Sequence, residues 1–166
     1  AWQTAYLKAH YMPEFMACLL SMDAGDLDRV AFLIEECKAL ELQVLPPDLN
    51  ESDSFFTVVT KQGEPSKLRF GLAAIKNVGE KCVELILAER AKSGPFQSLE
   101  DFLTRMHVGD VNKKVLESLV KAGALAAFGD KATLMYNIPG MLSLTQNKKN
   151  APTPQMSLFG TTHSSS

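Results

Sequence analysis

Cysteine is scarce in this sequence, and no pair of cysteines has the spacing of a metal-binding motif. The three that occur, Cys18, Cys37 and Cys82, are far apart and odd in number. This pattern argues against both a zinc site and a disulfide framework. We therefore expect reduced, buried thiols in a cytoplasmic protein.

Long apolar runs are also lacking. The strongest run near the start, residues 15–20, is too short to cross a membrane, and no basic flank with a cleavage site surrounds it. We therefore expect no membrane partner. The chain opens on "AWQTAYLKAHY", without a starting Met and inside a helical pattern, which indicates a piece of a longer protein.

No motif of a self-sufficient active site occurs: GxSxG, the P-loop and HExxH are all missing. The stretch "DLNESD" resembles the start of a calcium loop, but Asp53 stands where Gly is needed and Val59 where Glu is needed. Asp26 and Asp28 form a carboxylate pair, although their place before a helical pattern favours capping. We predict no catalytic and no metal-binding residues.

Neither sign of charge is in large excess, since 17 basic and 19 acidic residues give a formal net charge of -2. The whole surface therefore does not attract nucleic acid. Any contact with nucleic acid must come from a local basic patch.

Apolar residues make up 46% of the chain, enough for one domain of ordinary size or two small ones. Their spacing predicts a mainly α fold with a small β-hairpin, and we divide the chain into four parts. These are a helical region 1–45, an extended segment with the hairpin 46–70, a helical region 71–145 and a flexible polar tail 146–166.

The first region should hold two helices, 2–10 and 14–22, divided at Pro13. Asp26 should cap a third helix over about 27–42. Its inward residues are expected to be Leu27, Val30, Ile34 and Cys37.

Later elements are marked by their own local signals. Residues 55–60 and 67–70 predict the hairpin, and Ser98 with Asp101 forms a capping-box pattern. A helix over 111–122 should end at Gly123, and a weaker helix is expected over 131–136.

One pattern occurs twice. Residues 75–83, "IKNVGEKCV", and residues 125–133, "LAAFGDKAT", share an apolar residue, two spacers, an apolar residue, Gly, an acid and Lys. Because helical sequence flanks both copies, this predicts two helix-hairpin-helix units. In each, Gly79 or Gly129 permits a left-handed or closely approached backbone.

A helix that starts at such a glycine points free N–H groups at a phosphate oxygen, and nearby lysines add charge without reading bases. The predicted function of this region is therefore binding of duplex DNA by its backbone. The predicted DNA-binding residues are Lys76, Asn77, Val78, Gly79, Lys81, Gly129 and Lys131.

Two features leave open the alternative that these turns do not bind DNA. Glu80 and Asp130 stand where a phosphate would come, and capping by these carboxylates would weaken phosphate binding. Each copy could also be a plain helix-loop-helix turn that only packs.

The tail contains one apolar peptide, "QMSLF", in an otherwise polar stretch. Its Met, Leu and Phe would be buried in the pocket of a partner, or else against the domain itself. The predicted partner-binding residues are Gln155, Met156, Ser157, Leu158 and Phe159.

The spacing Gln, two residues, Leu, Phe is similar to the peptide that docks on the bacterial sliding clamp. The chain also resembles the alpha subunit of bacterial replicative DNA polymerase III, a C-family polymerase. The matching stretches are "QTAYLKAHY", "EFMACLL", "VLPPDLNESD", "RFGLAAIKNVGE", "GPFQSLEDF", "NKKVLESLVKAGAL" and "QMSLF", in the order of that family. Met12 before Pro13, and Asn77 in place of a glycine, depart from the family pattern.

This resemblance implies the end of the fingers region, a tandem helix-hairpin-helix part that holds duplex DNA, and an internal clamp-binding motif. It implies three partners: duplex DNA, the sliding clamp (beta subunit) and the rest of the polymerase III holoenzyme. Lys8 and His10 would lie near incoming nucleotide in the parent enzyme. The parent's catalytic aspartates and Mg²⁺ belong to an upstream palm domain, so we expect no cofactor in this segment. The alternative is a stand-alone helix-hairpin-helix adaptor with a recruitment peptide.

Overall fold

A computed structural model describes the backbone of residues 2–106 and 109–150, and the side chains of residues 11–106 and 109–147. The predicted mainly helical fold with a small sheet is confirmed within these residues. The helices are α1 (Trp2–Met22), α2 (Leu27–Ala39), α3 (Glu80–Ser93), α4 (Leu99–Arg105), α5 (Lys113–Ala122) and α6 (Lys131–Asn150). The strands are β1 (Val44–Leu45), β2 (Thr57–Val59) and β3 (Lys67–Arg69), and two 3-10 turns span Leu72–Ala74 and Ala126–Phe128.

Helix α1 runs through Pro13 without interruption, so the predicted division at this residue is wrong. Proline removes one backbone donor and crowds the preceding turn. Tertiary burial outweighs this cost, because Met16, Ala17 and Leu20 on the next turns lie in the core.

Helix α2 begins as predicted, because the Asp26 carboxylate accepts hydrogen bonds from the backbone N–H groups of Asp28 and Arg29, both at 3.1 Å. The helix ends at Ala39, earlier than expected. Its buried face is Val30, Leu33 and Cys37. Leu27, which was expected to point inward, is 46% exposed.

The sheet has the strand order β1-β3-β2. The predicted hairpin is confirmed, since β2 and β3 are antiparallel with Val58 opposite Leu68. Strand β1 was not predicted; it lies parallel to β3 at the edge of the sheet, with Val44 opposite Leu68.

Two apolar cores lie on either side of Phe70, which packs against both. The first joins α1, α2 and the sheet through Met16, Ala17, Leu20, Val30, Leu33, Cys37, Leu42, Phe56, Leu68 and Ala74. The second and larger core joins α3 to α6 around the fully buried rings of Phe96 and Phe102, which meet edge to face at 5.0 Å.

The stretch "DLNESD" is built into the second core. Leu49 is 1% exposed, and its N–H donates to the Ala124 carbonyl at 2.9 Å. The side chain of Asn50 donates to the Phe96 carbonyl at 2.9 Å and accepts from the Phe96 N–H at 2.8 Å. Arg90 donates to the carbonyls of Leu49 and Ser52. These contacts give the polar residues of this stretch a structural role.

Local signals set the ends of the later helices. Ser98 accepts from the Asp101 N–H at 3.1 Å, and the Asp101 carboxylate accepts from the Gln97 N–H at 3.0 Å. Helix α5 is capped by Asn112 and ends at Gly123 as predicted, and Gly123 has a left-handed φ of 89°. Helix α6 is longer than predicted.

Two of the three cysteines are buried as expected, but Cys18 is exposed. Burial, with a smaller contribution from the Asp110 carboxylate, raises the pKa of Cys82 to about 11. In the described part of the chain, no group of three or more His, Cys, Asp or Glu side chains could hold a metal ion. No helix there has both the length and the apolar character needed to cross a membrane.

Candidate nucleic-acid interface

The first turn, residues 75–79, joins the 3-10 turn Leu72–Ala74 to α3. Asn77 adopts a left-handed backbone with φ of 65°, a conformation that Asn tolerates better than most residues. Gly79 has φ of -75° and ψ of 156°, so of the two possibilities predicted for this glycine it does not adopt the left-handed backbone. A short 3-10 turn also stands where we expected a preceding helix.

The second turn, residues 125–129, joins α5 to α6 through the 3-10 turn Ala126–Phe128. In this turn the residue with a positive φ is the glycine itself, since Gly129 has φ of 152°. Asp130 then closes the start of α6: its carboxylate accepts from the Thr133 N–H at 3.0 Å and from the Thr133 hydroxyl at 2.6 Å. These two bonds, the hydroxyl first, lower the pKa of Asp130.

The two turns therefore differ at the helix start. In the described part of the chain no side chain, that of Glu80 included, makes a capping hydrogen bond at the Gly79 start of α3, and a Cβ at Gly79 would meet no described atom within 4 Å. The Val78 side chain is buried and its N–H donates to the Ile75 carbonyl at 3.1 Å. Val78 thus anchors the turn, while the exposed residues Lys76, Asn77 and Gly79 face solvent.

Beside the first turn lies a cleft of about 600 Å³ that we call the lysine cleft. Its polar lining residues are Lys76, Asn77, Lys114, Ser118 and Lys121. Asn77 donates from its side-chain amide to the Ser118 hydroxyl at 3.0 Å, which fixes the first turn against α5.

Three of these residues, Lys114, Ser118 and Lys121, were not predicted from the sequence. Their spacing of four and three places them on one stripe of α5, away from the buried face. Helical periodicity could have found this stripe, but only tertiary structure brings it to the first turn.

The other two predicted lysines, Lys81 and Lys131, are not among the residues that line the cleft. The Lys81 amine lies 3.8 Å from the Asp110 carboxylate and its side chain is 84% exposed. Lys131 donates to the Lys121 carbonyl at 3.0 Å, at the end of α5. Gly129 is exposed.

Two further sets of predicted residues belong to other parts of the chain. Lys8 and His10 lie on the first turns of α1, where the structure describes the backbone alone. The predicted clamp-binding residues 155–159 lie outside the described residues.

Residues 41–134 match the family model described as "Helix-hairpin-helix motif". The match spans more than half of the chain, includes both turns, and shows that the chain belongs to the helix-hairpin-helix family.

Curated proteins of similar sequence point to a more specific family. The chain is 52% identical over 142 residues to DNA polymerase III subunit alpha of Thermus aquaticus, covering 86% of this chain and 11% of that protein. It is 44% identical over 141 residues to the subunit of the same name from Deinococcus radiodurans, covering 85% of this chain and 10% of that protein. It is 41% identical over 160 residues to the subunit of the same name from Chlamydia muridarum, covering 95% of this chain and 12% of that protein.

The resemblance to the alpha subunit of bacterial DNA polymerase III is therefore confirmed. The chain spans about a tenth of the length of these relatives.

Proposed function

We propose that this chain is the part of a replicative DNA polymerase that holds duplex DNA by its backbone. The observation that carries the proposal is the convergence of an uncapped helix start with three exposed lysines, Lys76, Lys114 and Lys121, at the first turn. The family match and the similarity to polymerase alpha subunits support this function over that of a stand-alone adaptor.

The chemistry follows from this geometry. N–H groups at the start of α3 can donate to a phosphate oxygen, and the positive end of the helix dipole favours the anion. The open space at Gly79 lets the phosphate approach the backbone closely. The cleft lysines add charge without reading bases, so binding is independent of sequence and weakens with salt.

In this proposal the two turns do different work. Asp130 already occupies the start of α6 with a carboxylate, and a second anion there would be repelled. The second turn therefore positions α5 and its lysines, and the first turn contacts the phosphate.

We also propose that the tail tethers the polymerase to its sliding clamp through residues 155–159. Burial of Leu158 and Phe159 in a clamp pocket would contribute about 1.5–3 kcal/mol each. Gln155 would hydrogen-bond at the rim of that pocket through its amide. The ordering cost of the peptide leaves a moderate affinity, suited to a contact that must form and release.

The whole polymerase would add deoxynucleotides to a primer 3′ end with metal ions. The carboxylates that hold those ions would come from another part of that protein. We expect the 166-residue chain to bind duplex without extending a primer in magnesium and nucleotides.

A salt titration tests the DNA-binding proposal. Labelled duplexes of two unrelated sequences are titrated with the chain and with a variant carrying Lys76→Gln, Lys114→Gln and Lys121→Gln. The variant should bind both duplexes more weakly, and the salt slope should fall by about 0.9 for each phosphate that the variant no longer neutralises.

The matched control changes three exposed basic residues away from the cleft and the groove next to it, Arg29→Gln, Lys61→Gln and Lys92→Gln. Equal reductions in affinity in the two triple variants would mean that only net charge matters. A reduction restricted to one duplex sequence would contradict backbone contact.

A further inference from the structure

A second groove continues from the lysine cleft past Phe70 and Ala122, which line both. We call it the apolar groove; its volume is about 490 Å³. Helix α2 and strand β1 form its remaining walls. Its lining residues are Ile34, Lys38, Gln43, Val44, Leu45, Pro46, Pro47, Phe70 and Ala122.

The charged residues that line the cleft and the groove are all lysines: Lys38, Lys76, Lys114 and Lys121. In the part of the chain that the structure describes, no ion pair involves the last three. Lys38 pairs with Glu35 at 2.6 Å, but both side chains are largely exposed, at 64% and 70%. Such a surface pair contributes little and exchanges readily with another carboxylate.

The wall formed by β1 has an open backbone edge. The carbonyls of Gln43 and Leu45 accept from the N–H groups of Leu68 and Phe70 on the β3 side, at 2.9 and 3.1 Å. In a parallel ladder the residue between them points its N–H and C=O the opposite way. Val44 therefore offers one donor and one acceptor at the sheet edge, beside the apolar groove.

The floor of the groove suits aliphatic side chains better than nucleic-acid bases. Single-stranded nucleic acid is held by exposed aromatic rings on which bases stack. Among the described residues that line the groove, the only aromatic one is Phe70, which is half-buried and packs against the ring of Phe56 at 4.7 Å. The other apolar lining residues, such as Ile34 and Val44, are aliphatic.

We propose that the apolar groove binds an extended acidic peptide of a partner protein. Alternate apolar side chains of the peptide lie on the floor, its backbone bonds the Val44 edge, and its carboxylates lie against Lys38 and the cleft lysines. Bound there, the peptide covers Lys114 and Lys121 and excludes DNA. That competition rests on the proposed DNA-binding function, whereas the peptide site itself does not.

The test uses the 166-residue chain and three labelled peptides, measured by fluorescence anisotropy. One alternates Glu with Val, one alternates Lys with Val, and one alternates Glu with Ser. Only the Glu–Val peptide should bind, because it alone supplies both the charge and the apolar side chains.

Two variants locate the site. Lys38→Glu combined with Lys121→Glu should weaken binding of the Glu–Val peptide at least about tenfold, whereas Lys61→Glu on the exposed hairpin turn should not. Val44→Pro removes the outward N–H, which an edge strand tolerates, and also replaces the Val44 side chain that packs against the first core. It should weaken peptide binding while duplex binding is unchanged. Circular dichroism confirms that each variant is folded.

Equal binding of the Glu–Val and Glu–Ser peptides would overturn the proposal, since the contact would then be charge alone. Unchanged peptide binding in both groove variants would overturn it as well. Tighter binding of a labelled single-stranded oligonucleotide than of the peptide, abolished in Val44→Pro, would assign the groove to nucleic acid instead. A duplex titration run in parallel separates these results from failure of the DNA-binding function.

Discussion

The side chains of Asn77 and Ser118 are joined by a hydrogen bond of 3.0 Å that connects the first turn to α5. The same asparagine carries the left-handed backbone of the turn, with φ of 65°. One residue therefore both shapes the turn and holds it beside Lys114 and Lys121.

Substitutions at Asn77 should separate these two contributions. Asn77→Gly keeps the left-handed conformation and loses the hydrogen bond, at a cost of about 1 kcal/mol in the free energy of unfolding. Asn77→Ala loses both and should cost about 1–2 kcal/mol more. Urea unfolding measures the difference, and an alanine variant as stable as the glycine variant would contradict it.

Two glycines should respond differently to the same change. A Cβ at Gly71 would lie 2.6 Å from the Phe55 carbonyl carbon and 2.7 Å from the Ser54 carbonyl oxygen, so the backbone must shift. We expect Gly71→Ala to lower the free energy of unfolding by about 1–3 kcal/mol.

Gly79→Ala is the matched control, because its Cβ would meet nothing within 4 Å. We expect it to cost less than about 1 kcal/mol of stability, the usual preference for Gly over Ala at a helix cap. It should nevertheless weaken duplex binding, because the added methyl group would lie at the proposed phosphate contact. A stable variant with unchanged duplex binding would remove Gly79 from the interface.

The Asp130 cap makes a pH-dependent contribution. The Thr133 hydroxyl and N–H hold the pKa of this carboxyl below its ordinary value of 3.8. A lowered folded-state pKa means that the stabilisation is present above the unfolded pKa and is lost as pH falls through the folded one. At neutral pH the wild type should therefore have a higher melting temperature than Asp130→Ala. This gap in melting temperature should close only below about pH 4. A gap that persists at lower pH would contradict this role of the carboxylate.

Arg105 should not be replaceable by lysine. Its guanidinium, 14% exposed, donates to the carbonyls of Glu89 and Gly94, both at 2.9 Å. It also lies 4.2 Å from the centre of the Phe96 ring. A lysine cannot reproduce this fork, so Arg105→Lys should cost about 2–3 kcal/mol in chemical unfolding.

Arg29→Lys provides the comparison, since Arg29 is 56% exposed and paired only with Asp23 in the described ion pairs. It should change stability by less than about 1 kcal/mol. Similar destabilisation at Arg29 and Arg105 would argue against a special role for the buried fork.

The clamp-tethering proposal is tested at the tail. Leu158→Ala with Phe159→Ala should abolish capture of the purified sliding clamp in a pull-down, because two of the three apolar side chains that would enter the clamp pocket are truncated. Duplex binding should be unchanged in the same variant. Clamp capture at the wild-type level would exclude this peptide as the tether.

Those helix ends that carry a capping residue were predictable because their signals are local. Asp26 and Ser98 cap the helices that follow them, and Gly123 ends α5, since each of these contacts spans only a few residues. The geometry of the first turn was predictable in part: Asn77 takes the left-handed conformation, but Gly79 does not.

Features that depend on distant contacts were not predictable. Strand β1 exists because β3, more than twenty residues later, supplies its partner. Helix α6 continues through Pro139, since Ile138 and Thr145 are buried. The lysine cleft likewise needs the first turn and α5 in contact, and no short window of sequence contains both.

The burial of Leu49 determines where this chain can be shortened. A protein that began at Gly71 would leave an empty space where Leu49 lies, and the Phe96 backbone would lose both of its bonds to Asn50. Residues 48–53 must accompany the later helices whenever the chain is cut.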